Sequence, residues 1–357
     1  MKRITALIIS ILILLLSGCS SNLQIAEKAN FKPEKVKLNL QDNQALLNND
    51  LSENILTSVG DKNDLFYTEE IKINKDLNAE RFALVDQDIY LTAFDYIKGQ
   101  VGLYLFNNNQ CIKLYEASDT IDIIDLLSKD GKIYFVEQYD NYYVLKCYSP
   151  SEKSIKKIIE IYDGKYYSIY DCGNYIAFAT TEDNITDILF INDNNGKHFE
   201  KSFEHIDICP TYFIDNNYFA YRDIGTGSIV FFDIDNNTVV ATVSPSTSSD
   251  NSFDKATIIR DNVILSDGFG IYKHSLSNNK TYLVYSRAKI EWDSNLPFYL
   301  VGNTVLFFDD SEVLCAISCD KNKYVEISTD VKVYCTNSVN TFIFQDDSGN
   351  FLKYILK

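Results

Sequence analysis

The chain has 357 residues, with 50 Asp and Glu against 33 Lys and Arg, for a formal net charge of −17. So acidic a surface lacks the basic patch that releases counterions from a phosphate backbone, which sets nucleic acid aside, and it is repelled by anionic lipid. Gly is scarce at 14 while Tyr and Phe reach 25 and 22, so turns must be written in Asn and Asp and the core built largely from rings.

The N-terminus reads MKRITALIISILILLLSGCSS. Lys2 and Arg3 form a basic start, and Ile4 to Leu16 form an apolar run of 13 residues. A membrane-spanning helix needs roughly 20 residues, so the run suits a signal peptide better than a span. Leu16-Ser17-Gly18-Cys19 resembles a bacterial lipobox. The resemblance implies that residues 1–18 are cleaved and that a diacylglycerol is attached to Cys19 through a thioether. It places the mature chain, with a charge of about −19 once Lys2 and Arg3 are gone, on the extracytoplasmic side of the cell membrane. Two acyl chains at about 0.8 kcal/mol per buried methylene suffice for stable attachment.

Residues 19–63 are polar and follow no repeat, and are expected to be a lipidated N-terminus and tether. Leu46, Leu47, Leu51 and Ile55 suggest one short helix there. If flexible, such a segment reaches on the order of 35–40 Å.

From residue 64 to 357 helical periodicity gives way to short Ile, Val, Phe and Tyr runs split by polar turns. One unit is a turn followed by a large apolar run: KDGKIYFV, CGNYIAFA, RDNVILS, VGNTVLFF. A second is an apolar run, a polar turn and a return strand: LYLFNNNQCIKLYE, VFFDIDNNTVVATV, LCAISCDKNKYVEIS. The second turn falls at Asn108, Ser151, Asn194, Asn236, Asn278 and Lys321, at intervals of 43, 43, 42, 42 and 43 residues. Four short strands per unit at that interval predict an all-β, seven-bladed β-propeller. The predicted blades run about 77–118, 119–161, 162–204, 205–248, 249–286 and 287–329. A seventh takes VKVYC, NTFIFQ and NFLKYILK as its strands A, B and C. Its outer strand is expected to be FYTEEIKIN (Phe66 to Asn74), so that the two ends of the repeat region close the ring. The repeats resemble TolB-like and WD40-like propellers in architecture. Trp292 is the only tryptophan, so no blade-wise Trp-Asp accompanies that likeness.

In such a ring the B–C and D–A loops share one face, the usual ligand face of a propeller. Each B–C loop carries an acid: Asp95, Asp140, Asp183, Asp223, Asp267, Asp309 and Asp346. A rim of carboxylates would attract a cation or a basic partner; Asp is also a common turn former, because its side chain bonds nearby amides. Tyr139 and Trp292, with Tyr96 and Phe269, are candidates for stacking against a cell-envelope ligand such as a sugar or peptide. The three histidines (His198, His205, His274) are not placed to share a site, and neither G-x-S-x-G nor a P-loop occurs. No catalytic residue, metal ligand or cofactor is assigned. The seven mature cysteines show no C-x-x-C spacing and are expected to be buried thiols. Two functions fit: a monomeric, membrane-anchored binding or scaffolding module, or a carbohydrate-active hydrolase or lyase using rim carboxylates.

Overall fold

The short apolar runs and their Asn- and Asp-rich turns fold into seven small antiparallel sheets set in a ring, a seven-bladed β-propeller. The computed structural model describes residues 35–38, 40, 44–46 and 52–53, and then 58–357 apart from 87, 163–167, 213, 245–252, 254, 268–269, 287–298, 303, 310, 319–322, 330 and 337–339. Cys19, Phe269 and Trp292 lie outside the described residues.

Strands A to D run from the inside of each blade outward. Blade 1 is Leu77–Val85, Asp88–Asp95, Gln100–Asn107 and Gln110–Glu116, and blade 2 is Asp122–Lys129, Lys132–Gln138, Tyr143–Ser149 and Ser154–Ile161. Blade 3 is Ser168–Cys172, Tyr175–Glu182, Ile185–Asn192 and His198–Glu204, and blade 4 is Ile206–Ile208, Tyr218–Asp223, Ile229–Asp233 and Thr238–Ser244. Blade 5 is Lys255–Ile259, Asn262–Ser266, Gly270–Ser275 and Lys280–Ser286, and blade 6 is Tyr299–Val301, Thr304–Phe308, Leu314–Ser318 and Lys323–Ser328. Blade 7 is Lys332–Thr336, Thr341–Gln345, Phe351–Leu356 and, as its outer strand, Phe66–Ile71.

Scarce glycine is handled by left-handed Asn and Asp. Asn108 and Asn109 (φ 50° and 59°) turn blade 1 from C to D, and Asp183 and Asn184 (φ 50° and 65°) turn blade 3 from B to C. Both are two-residue hairpins, whose turn residues need positive φ. Apolar runs replace strict alternation in strands B and C because each blade is sandwiched between two neighbours, so both sheet faces are buried. Strands B and C of blade 6 are buried at every position. A separate apolar cluster fills each of the seven junctions between adjacent blades, including Ile71, Phe82, Leu91 and Ile343 between blades 7 and 1.

The ring closes as the sequence predicts. Strand C of blade 7 pairs antiparallel with Phe66–Ile71, in register from Phe351 opposite Ile71 to Leu356 opposite Phe66. Phe66 is 1% exposed and packs on Phe342 and Tyr354 with ring centroids 5.3 and 5.5 Å away.

The segment before the ring departs from expectation. Pro33–Lys357 form one compact unit. Of the residues expected to form a short helix, Leu47, Leu51 and Ile55 lie outside the described residues, and Leu46 ends a strand; Gln44–Leu46, Ser52–Glu53 and Ser58–Val59 pair in parallel with the outer strands of blades 4, 5 and 6. The only helix among the described residues is Lys62–Leu65. The physical reason is that edge pairing uses backbone amides and carbonyls and needs no apolar periodicity, so a polar sequence can serve. Blade 4 also differs. After Ile206–Ile208 the chain crosses to blade 5, where Thr211–Tyr212 pair in parallel with its inner strand.

Candidate functional site

The B–C and D–A loops do lie together at one end of the ring, and the structure assigns their acids individually. Asp95 accepts hydrogen bonds from the amides of Ile97 and Lys98 (3.0 and 3.2 Å), and Asp223 from that of Thr226 (2.8 Å). Asp267, buried, accepts from Gly270 (2.9 Å), Asp309 from Ser311 and Val313 (2.9 Å each), and Asp346 from Ser348 and Asn350 (3.1 and 2.8 Å). These five carboxylates therefore hold their own turns, which accounts for an acid in those loops without a ligand. Asp140 and Asp183 stand exposed at their loop tips.

Around Tyr139 the structure builds something the sequence did not single out. Glu137, the sixth residue of strand B in blade 2, is fully buried. It accepts hydrogen bonds from the Tyr115 hydroxyl (2.5 Å) and the Tyr139 hydroxyl (3.0 Å), and pairs with Lys146 at 2.7 Å. Lys146 also donates to the Tyr115 hydroxyl at 2.7 Å and lies 4.7 Å from the centre of that ring. A buried charge survives only when paired and fully bonded, and here three donors converge on one carboxylate. Burial, then the hydrogen bond to Glu137, push the Tyr139 hydroxyl up to about 12 and that of Tyr115 well above the usual range. The sequence signal was Lys146, a lone cation inside the apolar strand YVLKCYS.

On this base stands a ladder of rings. Tyr139 stacks on Tyr142 at 4.3 Å and 12°, and Tyr142 on Tyr162 at 5.0 Å and 27°. Tyr162, just past strand D, is 69% exposed and donates to Glu160 at 2.8 Å. Tyr96 and Ile97 in the blade 1 loop, Ile185 at the start of strand C in blade 3 and Ile224 in the blade 4 loop are also exposed. Tyr96, predicted as a stacking residue, packs edge-on against Phe94 at 5.4 Å.

The opposite face carries a second ionic group. Lys129, at the end of strand A in blade 2 and buried, pairs with Asp193 at 2.8 Å and Asp130 at 2.9 Å. The Tyr134 hydroxyl donates to Asp193 at 3.1 Å, and Lys35, ahead of the first strand, pairs with Asp130 at 2.6 Å. Burial pushes the Asp171 carboxyl up to about 6 against the pull of Lys129. His274 in strand C of blade 5 is 1% exposed, with Nδ1 2.9 Å from the Thr281 hydroxyl, and burial holds its ring down to about 4. Cys147, Cys172, Cys209 and Cys315 are buried free thiols and Cys111 is half-buried. Among the described residues no three His, Cys, Asp or Glu side chains converge in a metal-binding group. In the C–D turn of blade 3, Asn192 accepts from the amides of Asn194 and Asn195 (3.2 Å each), and Gly196 takes φ 71°.

No family model matches the chain, and no curated protein matches it. Among solved structures, the AfRom2 CNH domain aligns at a TM-score of 0.51 and 11% identity, over 82% of this chain and 99% of that one. PorZ of Porphyromonas gingivalis, an essential bacterial surface component of the type-IX secretion system, aligns at 0.50 and 10% identity, over 78% of this chain and 36% of that one. At such identity the likeness speaks for the fold alone, and the fold is a seven-bladed β-propeller.

Proposed function

We propose that the chain is a binding or scaffolding module, held by lipid on Cys19 at the extracytoplasmic side of the cell membrane, that engages a basic protein through the B–C face of blades 1 to 4. The observation that carries this reading is the placement of exposed apolar side chains. Of the eight large hydrophobic residues exposed in the described structure, five (Tyr96, Ile97, Tyr162, Ile185 and Ile224) lie on that face, and the other three lie on outer strands. Grouped exposed apolar residues mark interaction surfaces, and aromatic anchors ringed by charge are the usual centres of binding energy. Asp140 and Asp183 rise from the same face, and the net charge of −17 favours a cationic partner and speeds its encounter. The described chain joins the propeller at Lys35, bound to Asp130 in an A–B turn of the opposite face.

The test is recovery of partners from membranes by the full chain and by a Tyr96→Ala, Ile97→Ser, Tyr162→Ala triple variant. Loss of at least tenfold is expected for the triple variant and none for Lys132→Ala on the other face. Equal recovery by all three refutes the face assignment. Cys19→Ala should release the chain from the membrane fraction; a variant that still sediments refutes the anchor.

A further inference from the structure

Cross-strand register explains why three tyrosines of blade 2 stack. Its strands B, C and D place Glu137, Val144 and Glu160 opposite one another, on one face of the sheet. Side chains two residues apart on a strand share a face. Two residues further toward the B–C end, that face therefore carries Tyr139, Tyr142 and Tyr162, stacked in that order from strand B outward. Each terminal phenol leans back on the carboxylate two residues before it: the Tyr139 hydroxyl donates to Glu137 at 3.0 Å and the Tyr162 hydroxyl to Glu160 at 2.8 Å. A phenol that donates to a carboxylate gains electron density in its ring, which deepens the negative face that draws a cation.

Tyr142 covers one face of Tyr162, and the ring is still 69% exposed, so its other face looks to solvent. The chain itself shows what its tyrosine rings attract. Lys146 lies 4.7 Å from the centre of Tyr115, Lys357 4.6 Å from that of Tyr67 and Lys113 5.8 Å from that of Tyr104. Carboxylates outnumber cations around the stack. Glu137 is paired with Lys146 and Glu160 with Lys157, at 2.7 Å each, and Asp140 adds a third carboxylate. Asp140 is exposed at the tip of the turn in which the Tyr139 amide donates to the Tyr142 carbonyl at 2.9 Å. The Lys157–Glu160 pair lies at the surface and contributes little, so a better-shaped cation can share that carboxylate at small cost.

We propose that the outer face of Tyr162 and the Glu160 carboxylate form an arginine-binding site, in which a partner's guanidinium stacks flat on the ring and donates to Glu160 from its edge. This deepens, and rests on, the assignment of a basic partner to the B–C face. Arginine suits the site better than lysine. Its guanidinium is planar, weakly hydrated and forked, so a single group uses the ring face and the carboxylate together, whereas an ammonium is a hydrated point charge. A neutral sugar would stack on the same ring but gains nothing from the surplus carboxylate charge.

The test titrates the full chain in detergent, at low salt, with a capped glycine–arginine repeat peptide, the matching glycine–lysine peptide and an N-acetylglucosamine oligosaccharide, read by calorimetry. The arginine peptide should bind more tightly than the lysine peptide. Tyr162→Leu should weaken the arginine peptide by about two- to fivefold, the worth of a cation over an exposed ring, and remove the preference. Glu160→Gln should weaken it as well, while Tyr162→Phe keeps the stacking ring and part of the preference. Tyr67→Leu, whose ring already carries Lys357, is the control and should change nothing. Tyr162 is exposed, so its variants should melt like the parent chain. Equal affinity for the two peptides, or arginine binding unaltered by Tyr162→Leu, overturns the proposal. Oligosaccharide binding that depends on Tyr162 while arginine binding does not gives the ring to a sugar and also overturns it. Partner recovery from membranes separates this contact from the face that holds it. If Tyr96→Ala with Ile97→Ser loses the partner and Tyr162→Leu keeps it, the face stands and the arginine contact is refuted. If arginine binding depends on Tyr162 but the triple variant recovers partners in full, the contact stands and the face assignment is refuted.

Discussion

Closure of the ring by Phe66 lends itself to a quantitative test. The Phe66 ring is 1% exposed, at the junction of blades 6 and 7, edge-on to Phe342 at 5.3 Å and tilted against Tyr354 at 5.5 Å. Phe66→Ala removes the ring from a site whose neighbours belong to three strands and cannot all collapse into the void. Such truncations cost about 3–5 kcal/mol. With an unfolding entropy of about 2.1 cal/mol/K per residue, a ring of this size has roughly 0.65 kcal/mol/K at its midpoint. The melting temperature should therefore fall by roughly 5–8 °C, read by far-UV circular dichroism or calorimetry. Thr68→Ala, exposed on the same strand, is the control and should stay within about 0.5 kcal/mol of the parent. If the two variants melt together within a degree or so, Phe66 does not hold the ring closed and the account of closure is wrong.

Other expectations follow from the buried polar groups and one turn. Lys146→Met leaves the fully buried Glu137 without its cation and should cost about 3–5 kcal/mol in urea unfolding, with much of the loss restored when Glu137→Gln is added; a double variant no better than the single one would refute the pairing. His274 titrates near 4 when folded against about 6.5 when unfolded, so the unfolded chain binds the extra proton between those values and stability is lost as pH falls from about 6.5 to 4. At about 1.4 kcal/mol per unit, that term approaches 3 kcal/mol at pH 4. His274→Gln should flatten the fall in melting temperature over this window, and an unaltered slope refutes the assignment. Asp171, raised to about 6, gives the opposite slope, since the folded state holds the proton between about 4 and 6 and stability declines as pH rises through that range; Asp171→Asn should remove that decline. Gly173 takes φ 70°, and a Cβ there would lie 2.7 Å from the Asn216 carbonyl oxygen, whereas Gly131 at φ 73° has open space around it. Gly173→Ala should therefore destabilise by clearly more than the roughly 1–2 kcal/mol of the left-handed backbone alone that Gly131→Ala pays; equal losses would refute the close approach.

Much of the fold was legible because it is local. The turns at Asn108 and Asn109 and at Asp183 and Asn184 are written in residue types that, after glycine, take positive φ most readily. The runs IYFV, YIAFA and TVLFF announce strands buried on both faces. The candidate face was only partly legible. An acid in each B–C loop was visible, but whether its oxygens turn inward to the loop amides, as those of Asp309 and Asp346 do, depends on backbone geometry that no spacing encodes. Tyr139 could be named, but of its stack Tyr142 shares its B–C loop, Tyr162 follows strand D of the same blade, and Tyr115 beneath them comes from blade 1.

The sequence by itself determined the number of blades, the place of most strands and the pairing of Phe66–Ile71 with Phe351–Leu356, because a repeat of fixed length and apolar runs bounded by turns are properties of neighbouring residues. Only the tertiary structure decided which edges are covered, which acids are spent on turns and which rings stack. Strand addition is made by backbone groups common to every residue, so the polar strap of Gln44–Leu46, Ser52–Glu53 and Ser58–Val59 carried no apolar pattern to announce it. Glu137 and Lys146 meet across adjacent strands of blade 2, but Tyr115 reaches them only because blade 1 packs alongside, a contact set by the ring and not by distance along the chain.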